Sequence, residues 1–179
     1  HPHFRSHGVG RCECDGAIWP FASSQTLTAM ANFLNNYPQN DILADSTYFH
    51  QMELYVESQY HRGRPYIGEY LDEKNGAWLM GDRERSRYYN HSTFNDLIIT
   101  GLVGLRTRFD DKIEVNPLIP ADKWEYFCLD NVSYHGRNIT IIWDKYGSRY
   151  HHGNGLTILV DGSPAGHSEK LERLVCEMN

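Results

Sequence analysis

The spacing of apolar residues changes near Arg108. Upstream of it, three stretches repeat their apolar side chains at helical intervals, and downstream of it short β-type runs alternate with turn residues. The first helix is expected over Ser24 to Tyr37, where Leu27, Met30, Ala31 and Leu34 recur at i, i+3, i+4 and i+7 and Pro38 stops the run. A second is expected from an N-cap at Asp45 or Ser46 to about Tyr60, with Phe49, Met52, Tyr55, Val56 and Tyr60 on one stripe and Gly63 beyond it. A third should start at Ser92 or Thr93 and carry Phe94, Leu97, Ile98, Leu102 and Leu105. Between the second and third lies Arg64 to His91, rich in Tyr, Gly and charge. A connection that long without regular structure is usually functional or disordered.

From Lys112 onward the pattern predicts strands at Ile113 to Val115, Trp124 to Leu129, Val132 to Tyr134, Asn138 to Trp143 and Leu156 to Val160. Turn chemistry separates them at His135-Gly136, Lys145-Tyr146-Gly147 and Asp161-Gly162. Ile139, Ile141 and Trp143 share one face while Thr140 and Ile142 share the other, as in a strand buried inside a sandwich. The tail from Ser163 is polar, and a short helix is expected around Glu169 to Val175. The class is therefore α+β, divided at residues 1–108 and 109–179. Three helices with large apolar stripes and few partners to cover them suggest the C-terminal end of something larger.

Composition narrows the function classes. With 17 basic against 23 acidic residues the net charge is −6, which argues against a nucleic-acid partner. The densest charged stretch, Asp82 to Arg87, interleaves its signs as solvated faces do. The longest nearly apolar run, Leu97 to Leu105, is well short of the roughly 20 residues that a membrane-crossing helix needs. No signal peptide is visible in His1-Pro2-His3-Phe4-Arg5-Ser6-His7, while the sequons at Asn90, Asn131 and Asn138 lean toward export. Cys12, Cys14, Cys128 and Cys176 are too scattered for a disulfide framework. Cys12-x-Cys14 beside His1, His3 and His7 lacks the spacing and second pair of a structural zinc site, so no metal is expected.

Three segments mix aromatic rings with short polar groups, and each falls in a loop or at the mouth of an expected helix. They are Cys14 to Leu27 (CDGAIWPFASSQTL), Tyr66 to Asp72 (YIGEYLD) and Tyr88 to Phe94 (YYNHSTF). Sugar sites need that mix, because ring faces stack on C–H surfaces while carboxylates, amides and imidazoles hydrogen-bond hydroxyls. Asp15, Trp19, Gln25, Trp78, Tyr89 and His91 are the candidate substrate contacts. Each has a plainer reading: Asp15 as a turn residue, Gln25 and His91 as helix-start residues, Trp19, Trp78 and Tyr89 as packing, and Glu69 as a solvated loop carboxylate.

The Trp19-Pro20-Phe21-Ala22 run with Ser24-Gln25-Thr26-Leu27, the Gly68-Glu69-Tyr70 loop and Tyr89-Asn90-His91-Ser92-Thr93-Phe94 resemble the last hairpins of six-hairpin, (α/α)6-barrel glycoside hydrolases. The similarity is greatest to the mannosylglycerate-hydrolase-like group related to family 63 and the trehalases. The stretch from Glu114 to Gly162 resembles the sandwich that often accompanies such barrels. The resemblance implies terminal helical hairpins of an (α/α)6 barrel followed by an antiparallel β-sandwich-like segment, with no cofactor. It implies a carbohydrate substrate and inverting hydrolysis by two carboxylic residues. Glu69 matches the general base, whereas the acid, usually an Asp, would lie in an earlier hairpin upstream of His1. The upstream part of the same barrel is then a partner the activity needs. The alternative is a non-catalytic carbohydrate-binding or degenerate fragment of such an enzyme.

Overall fold

The computed structural model describes residues 16–38, 41–79, 84, 87–89 and 93–178. Helix α1 runs Pro20–Asn36, starting four residues before the expected Ser24 and ending one before Tyr37. Proline is favoured at the first helical position, where its missing N–H has no partner to lose and its φ is already helical. The buried residues Pro20, Ser24, Leu27 and Ala31 form its inner face. Helix α2, Asp45–Ser58, starts at Asp45 itself with Ala44 as the capping position. Its buried face is Tyr48, Phe49, Met52 and Tyr55, so the expected stripe is rotated: Val56 and Tyr60 are exposed and Tyr48 is fully covered.

Helix α2 ends early because the chain turns at once into the hairpin β1 (Tyr60–His61) and β2 (Arg64–Pro65). Arg62 and Gly63 both have positive φ there, the geometry of a two-residue turn whose twist matches the strands. Helix α3, Thr93–Leu97, widens into a π-helical turn over Ile98–Leu102. Val103 and Gly104 donate to the carbonyls of Ile98 and Ile99 at 2.9 and 3.0 Å, and Gly104 then leaves the helix with φ +82°. The continuous third helix expected as far as Leu105 is thus cut short, and Leu105 begins a strand instead.

The rest is antiparallel sheet. Strands β3 (Leu105–Arg106), β4 (Lys112–Val115) and β9 (Leu174–Glu177) form one sheet in that order. Strands β5 (Tyr126–Tyr134), β6 (Arg137–Asp144), β7 (Gly155–Val160) and β8 (Ser163–Ser168) form the other. The two runs expected before and after Asp130 are one strand, β5, bent by a bulge at Asn131, whose φ is +58°. The expected C-terminal helix is absent. Residues 163–168 and 174–177 are strands, legible only from their partners, because an edge strand is held by main-chain hydrogen bonds and leaves many polar side chains outward.

Ile139, Ile141, Trp143, Leu156, Ile158 and Val160 point inward from β6 and β7 and are all at most 4 % exposed. Ile113 and Val115 of β4 join the same cluster. Burying each such side chain is worth about 1.5–3 kcal/mol. Trp143 donates its indole N–H to the Trp124 carbonyl at 2.9 Å, and Trp124 meets Phe49 of α2 edge-on at 5.8 Å. Asn116, after β4, donates to Asn35 of α1 at 2.7 Å. Helices and sheets therefore share one core.

Candidate active site

The residues around Glu69 are positioned by backbone first. Ile18 and Leu71 exchange two hydrogen bonds at 3.0 and 2.9 Å, which ties the long α2–α3 connection to the entrance of α1. Trp19 follows Ile18 as the cap of α1, and its ring lies 4.9 Å from that of Tyr70, tilted by 33°. Tyr70 is 2 % exposed and Glu69, beside it in the chain, 7 %. A carboxylate that deep is uncommon unless it is engaged, so the solvated reading of Glu69 is excluded.

A second aromatic pair closes the other side of the loop. Tyr66 meets Trp78 edge-on at 5.1 Å and His61 at 5.4 Å. Trp78 donates its indole N–H to the Tyr60 carbonyl at 3.1 Å and lies over Gly68 so closely that a Cβ there would come within 2.4 Å of the ring. Glycine at 68 is what lets the indole sit on the backbone next to Glu69. The strand-like pair Leu71 and Trp78 is joined by a tight turn in which the Asp72 carboxylate accepts the N–H of Lys74 at 2.8 Å and of Asn75 at 3.3 Å.

Gly68 also pairs with Arg87, bringing 87–89 alongside. The Arg87 guanidinium lies 5.0 Å over the Tyr88 ring, and Tyr89 is 40 % exposed. The third segment reaches α1 separately: the Thr93 hydroxyl is 2.9 Å from that of Ser24, which donates to the Phe21 carbonyl at 2.7 Å. The structure thus sets Trp19 against Tyr70 and Trp78 over Gly68, the two chain neighbours of Glu69, and pairs Gly68 with Arg87, two residues before Tyr89. Gln25 lies on the exposed face of α1, beside the buried Ser24. Asp15 and His91 fall outside the described residues, as do Cys12 and Cys14. Tyr66, Gly68 and Tyr70 lie in the Tyr66–Asp72 segment that the sequence marks out, but as individual residues they were not among its candidate contacts.

An open cleft of about 460 Å³ exists elsewhere, at the C-terminal end of α1, lined among others by Leu34, Tyr37, Asp45, Ser46, Asn116 and Pro120. Burial pushes the Asp45 carboxyl up. None of the sequence-predicted site residues lines it, and chemistry is better read from the buried carboxylate between two aromatic pairs. Among the described residues, no group of His, Cys, Asp and Glu is arranged to hold a metal, and no helix is long and apolar enough to cross a membrane.

The family is shown by comparison with known proteins. A solved structure described as "Sialidase" is 76 % identical and superposes with a TM-score of 0.92, covering 99 % of this chain and 16 % of that one. The chain therefore spans about a sixth of the length of that relative. Residues 105–166 match the family model described as glycosyl hydrolase family 65, C-terminal domain, which contains β3 to β7 and most of β8. Residues 1–92, just over half of the chain, match the model described as mannosylglycerate hydrolase MGH1-like glycoside hydrolase domain. This chain belongs to the MGH1-like glycoside hydrolase domain family and carries a family 65-type C-terminal domain behind it.

Proposed function

We propose that the chain is the C-terminal portion of an inverting glycosidase in which Glu69 is the general base that activates water against a glycosidic bond. The observation that carries this is the placement of Glu69: 7 % exposed, stapled to the mouth of α1, beside the Trp19–Tyr70 pair and within the family-matched stretch. Inversion needs a second carboxyl group about 6.5 to 9.5 Å away, to leave room for that water. We assign the acid to an earlier hairpin of an (α/α)6 barrel in the parent protein. Trp19 offers a ring to the sugar, with Asp15, Gln25, Tyr89 and His91 as hydrogen-bonding candidates. Trp78 is assigned to bracing Gly68 as much as to touching sugar. We divide the chain at residues 1–108 and 109–179, a boundary four residues beyond Gly104 that lies within the second family match, residues 105–166.

The test is Glu69→Gln in the full-length parent, assayed on a panel of aryl glycosides with the product anomer followed by NMR. A good general base contributes roughly 10²–10⁴-fold, so kcat should fall by that factor with KM little changed, and the wild type should release the inverted anomer. Unchanged turnover in Glu69→Gln would sink the assignment. The neighbour's name favours a second reading, cleavage of a sialoside. That name belongs to a chain about six times longer, so the activity it denotes need not reside in the matched sixth. Including an aryl sialoside in the panel decides it: hydrolysis that Glu69→Gln leaves intact would assign sialidase chemistry to another part of the parent.

A further inference from the structure

The loop between β6 and β7, Lys145 to Asn154, is built around the buried carboxylate of Asp144, which is 2 % exposed. That carboxylate accepts the backbone N–H of Arg149 at 2.7 Å and of Tyr150 at 2.8 Å, and the N–H groups of Tyr146 and Gly147 also donate to it. Gly147, at φ +70°, fits where a Cβ would come within 2.8 Å of the Asn154 nitrogen. The loop backbone is therefore held by the Asp144 carboxylate, which leaves the side chains of Lys145, Tyr146, Ser148 and Arg149 exposed.

Those outward side chains share one character. Tyr126 is the cross-strand partner of Asp144 and is 46 % exposed. The Arg149 guanidinium lies 4.6 Å over its ring, and Tyr150 meets it edge-on at 6.2 Å. Tyr146 is 63 % exposed, with the Lys145 ammonium 5.7 Å from its ring. Two exposed rings, each with a cation beside it, occur here in a chain whose net charge is −6. Of the acidic residues beside these rings in the chain or across the strand, Asp144 is buried with its Oδ2 accepting two backbone N–H groups, and Glu125 precedes Tyr126.

We propose that this loop is a second carbohydrate site, separate from Glu69, at which an acidic glycan stacks on the exposed ring of Tyr146 while Arg149, braced over Tyr126, and Lys145 pair with its carboxylates. Tyrosine rings present a flat apolar face with little conformational freedom to lose, and a guanidinium matches a carboxylate in two parallel hydrogen bonds. A loop already held in place binds without a large ordering cost.

Electrophoresis of the 179-residue chain through gels containing polygalacturonate, hydroxyethyl cellulose or poly-L-glutamate tests the proposal. Polygalacturonate should retard the wild type, and the other two polymers should do so much less. Tyr146→Ala and Arg149→Ala, both at exposed positions, should each weaken the retardation about fivefold or more without lowering the melting temperature, and Glu69→Gln should keep it in full. The proposal is overturned if polygalacturonate does not retard the wild type, if poly-L-glutamate retards it equally, or if both loop variants behave as wild type. Loss of retardation in Glu69→Gln would likewise overturn it, by placing the binding at the catalytic loop. Full retardation in Glu69→Gln combined with unchanged parent turnover would instead remove the catalytic assignment and leave this one standing.

Discussion

The loop after β6 and the loop that carries Glu69 are both rich in aromatic residues, yet they are held in opposite ways. The first closes on its immediate neighbour, Asp144. The second is fixed at Leu71 by Ile18, at Gly68 by Arg87 and at Trp78 by Tyr60, all distant in the chain. A loop that satisfies its own polar groups keeps its shape whatever surrounds it. One that depends on three remote segments keeps its shape only while they are in place, and it can be disturbed without unfolding the sheets.

That contrast can be broken or sharpened experimentally. The largest effect should come from Gly104→Ala, at the junction of helix and sheet. Its Cβ would lie 2.0 Å from the Asn116 carbonyl oxygen at a φ of +82°, so a loss of about 3 kcal/mol or more is expected in denaturant unfolding. Gly68→Ala should separate activity from stability. The new methyl must displace the Trp78 ring, costing the parent about 10²-fold in kcat/KM through misplacement of Glu69 while the unfolding midpoint moves far less than in Gly104→Ala. Equal losses in the two variants would show that the loop and the core unfold together.

Acid should act first on the sandwich. Burial pulls the Asp144 carboxyl upward, but the backbone N–H groups around it outweigh that and hold it below the usual carboxylate range. Asp161 is likewise held low by the Asn138 N–H and by Arg137. A group with a depressed folded value stabilises fully above the unfolded value, near 3.9, and its contribution disappears as pH falls through the folded value. Thermal melts should therefore be flat in this respect between pH 7 and about 5 and decline below about pH 4. Asp144→Asn should lower the plateau and flatten that decline. A smaller effect is expected for Trp78→Phe, which keeps a ring over Gly68 but drops the bond to Tyr60, at a cost of about 0.5–1.5 kcal/mol. An effect of similar size is expected for Gly162→Ala, where a Cβ meets nothing within 4 Å and only the φ of +81° is unfavourable, about 1 kcal/mol.

Much of this architecture follows from local chemistry. The strands β6 and β7 and the Xaa-Gly turns at His135-Gly136 and Asp161-Gly162 were predictable, because short runs rich in Ile, Leu and Val and a glycine free to adopt positive φ are properties of adjacent residues. The Pro20 helix start carried a signal that the apolar stripe alone obscured. Edge strands β8 and β9 carried almost none, since what makes them strands is the backbone of β7 and β4. The π-helical turn is equally silent in the chain: Gly101 sits where a Cβ would lie 2.0 Å from the Tyr48 hydroxyl, a residue of another helix.

The candidate site divides in the same way. The sequence by itself determined the chemical types present, an aromatic-flanked Glu69 in a glycine-containing loop, together with the three motifs that resemble a glycoside hydrolase. Only the tertiary structure decided that Glu69 is buried, that Trp19 reaches it through Tyr70, that Trp78 braces Gly68 and that Gln25 lies on the exposed face of its helix. The physical reason is range. Residue type and turn propensity act over a few neighbours, whereas burial and ring packing depend on segments that meet only when the helices and the long connection have folded against one another.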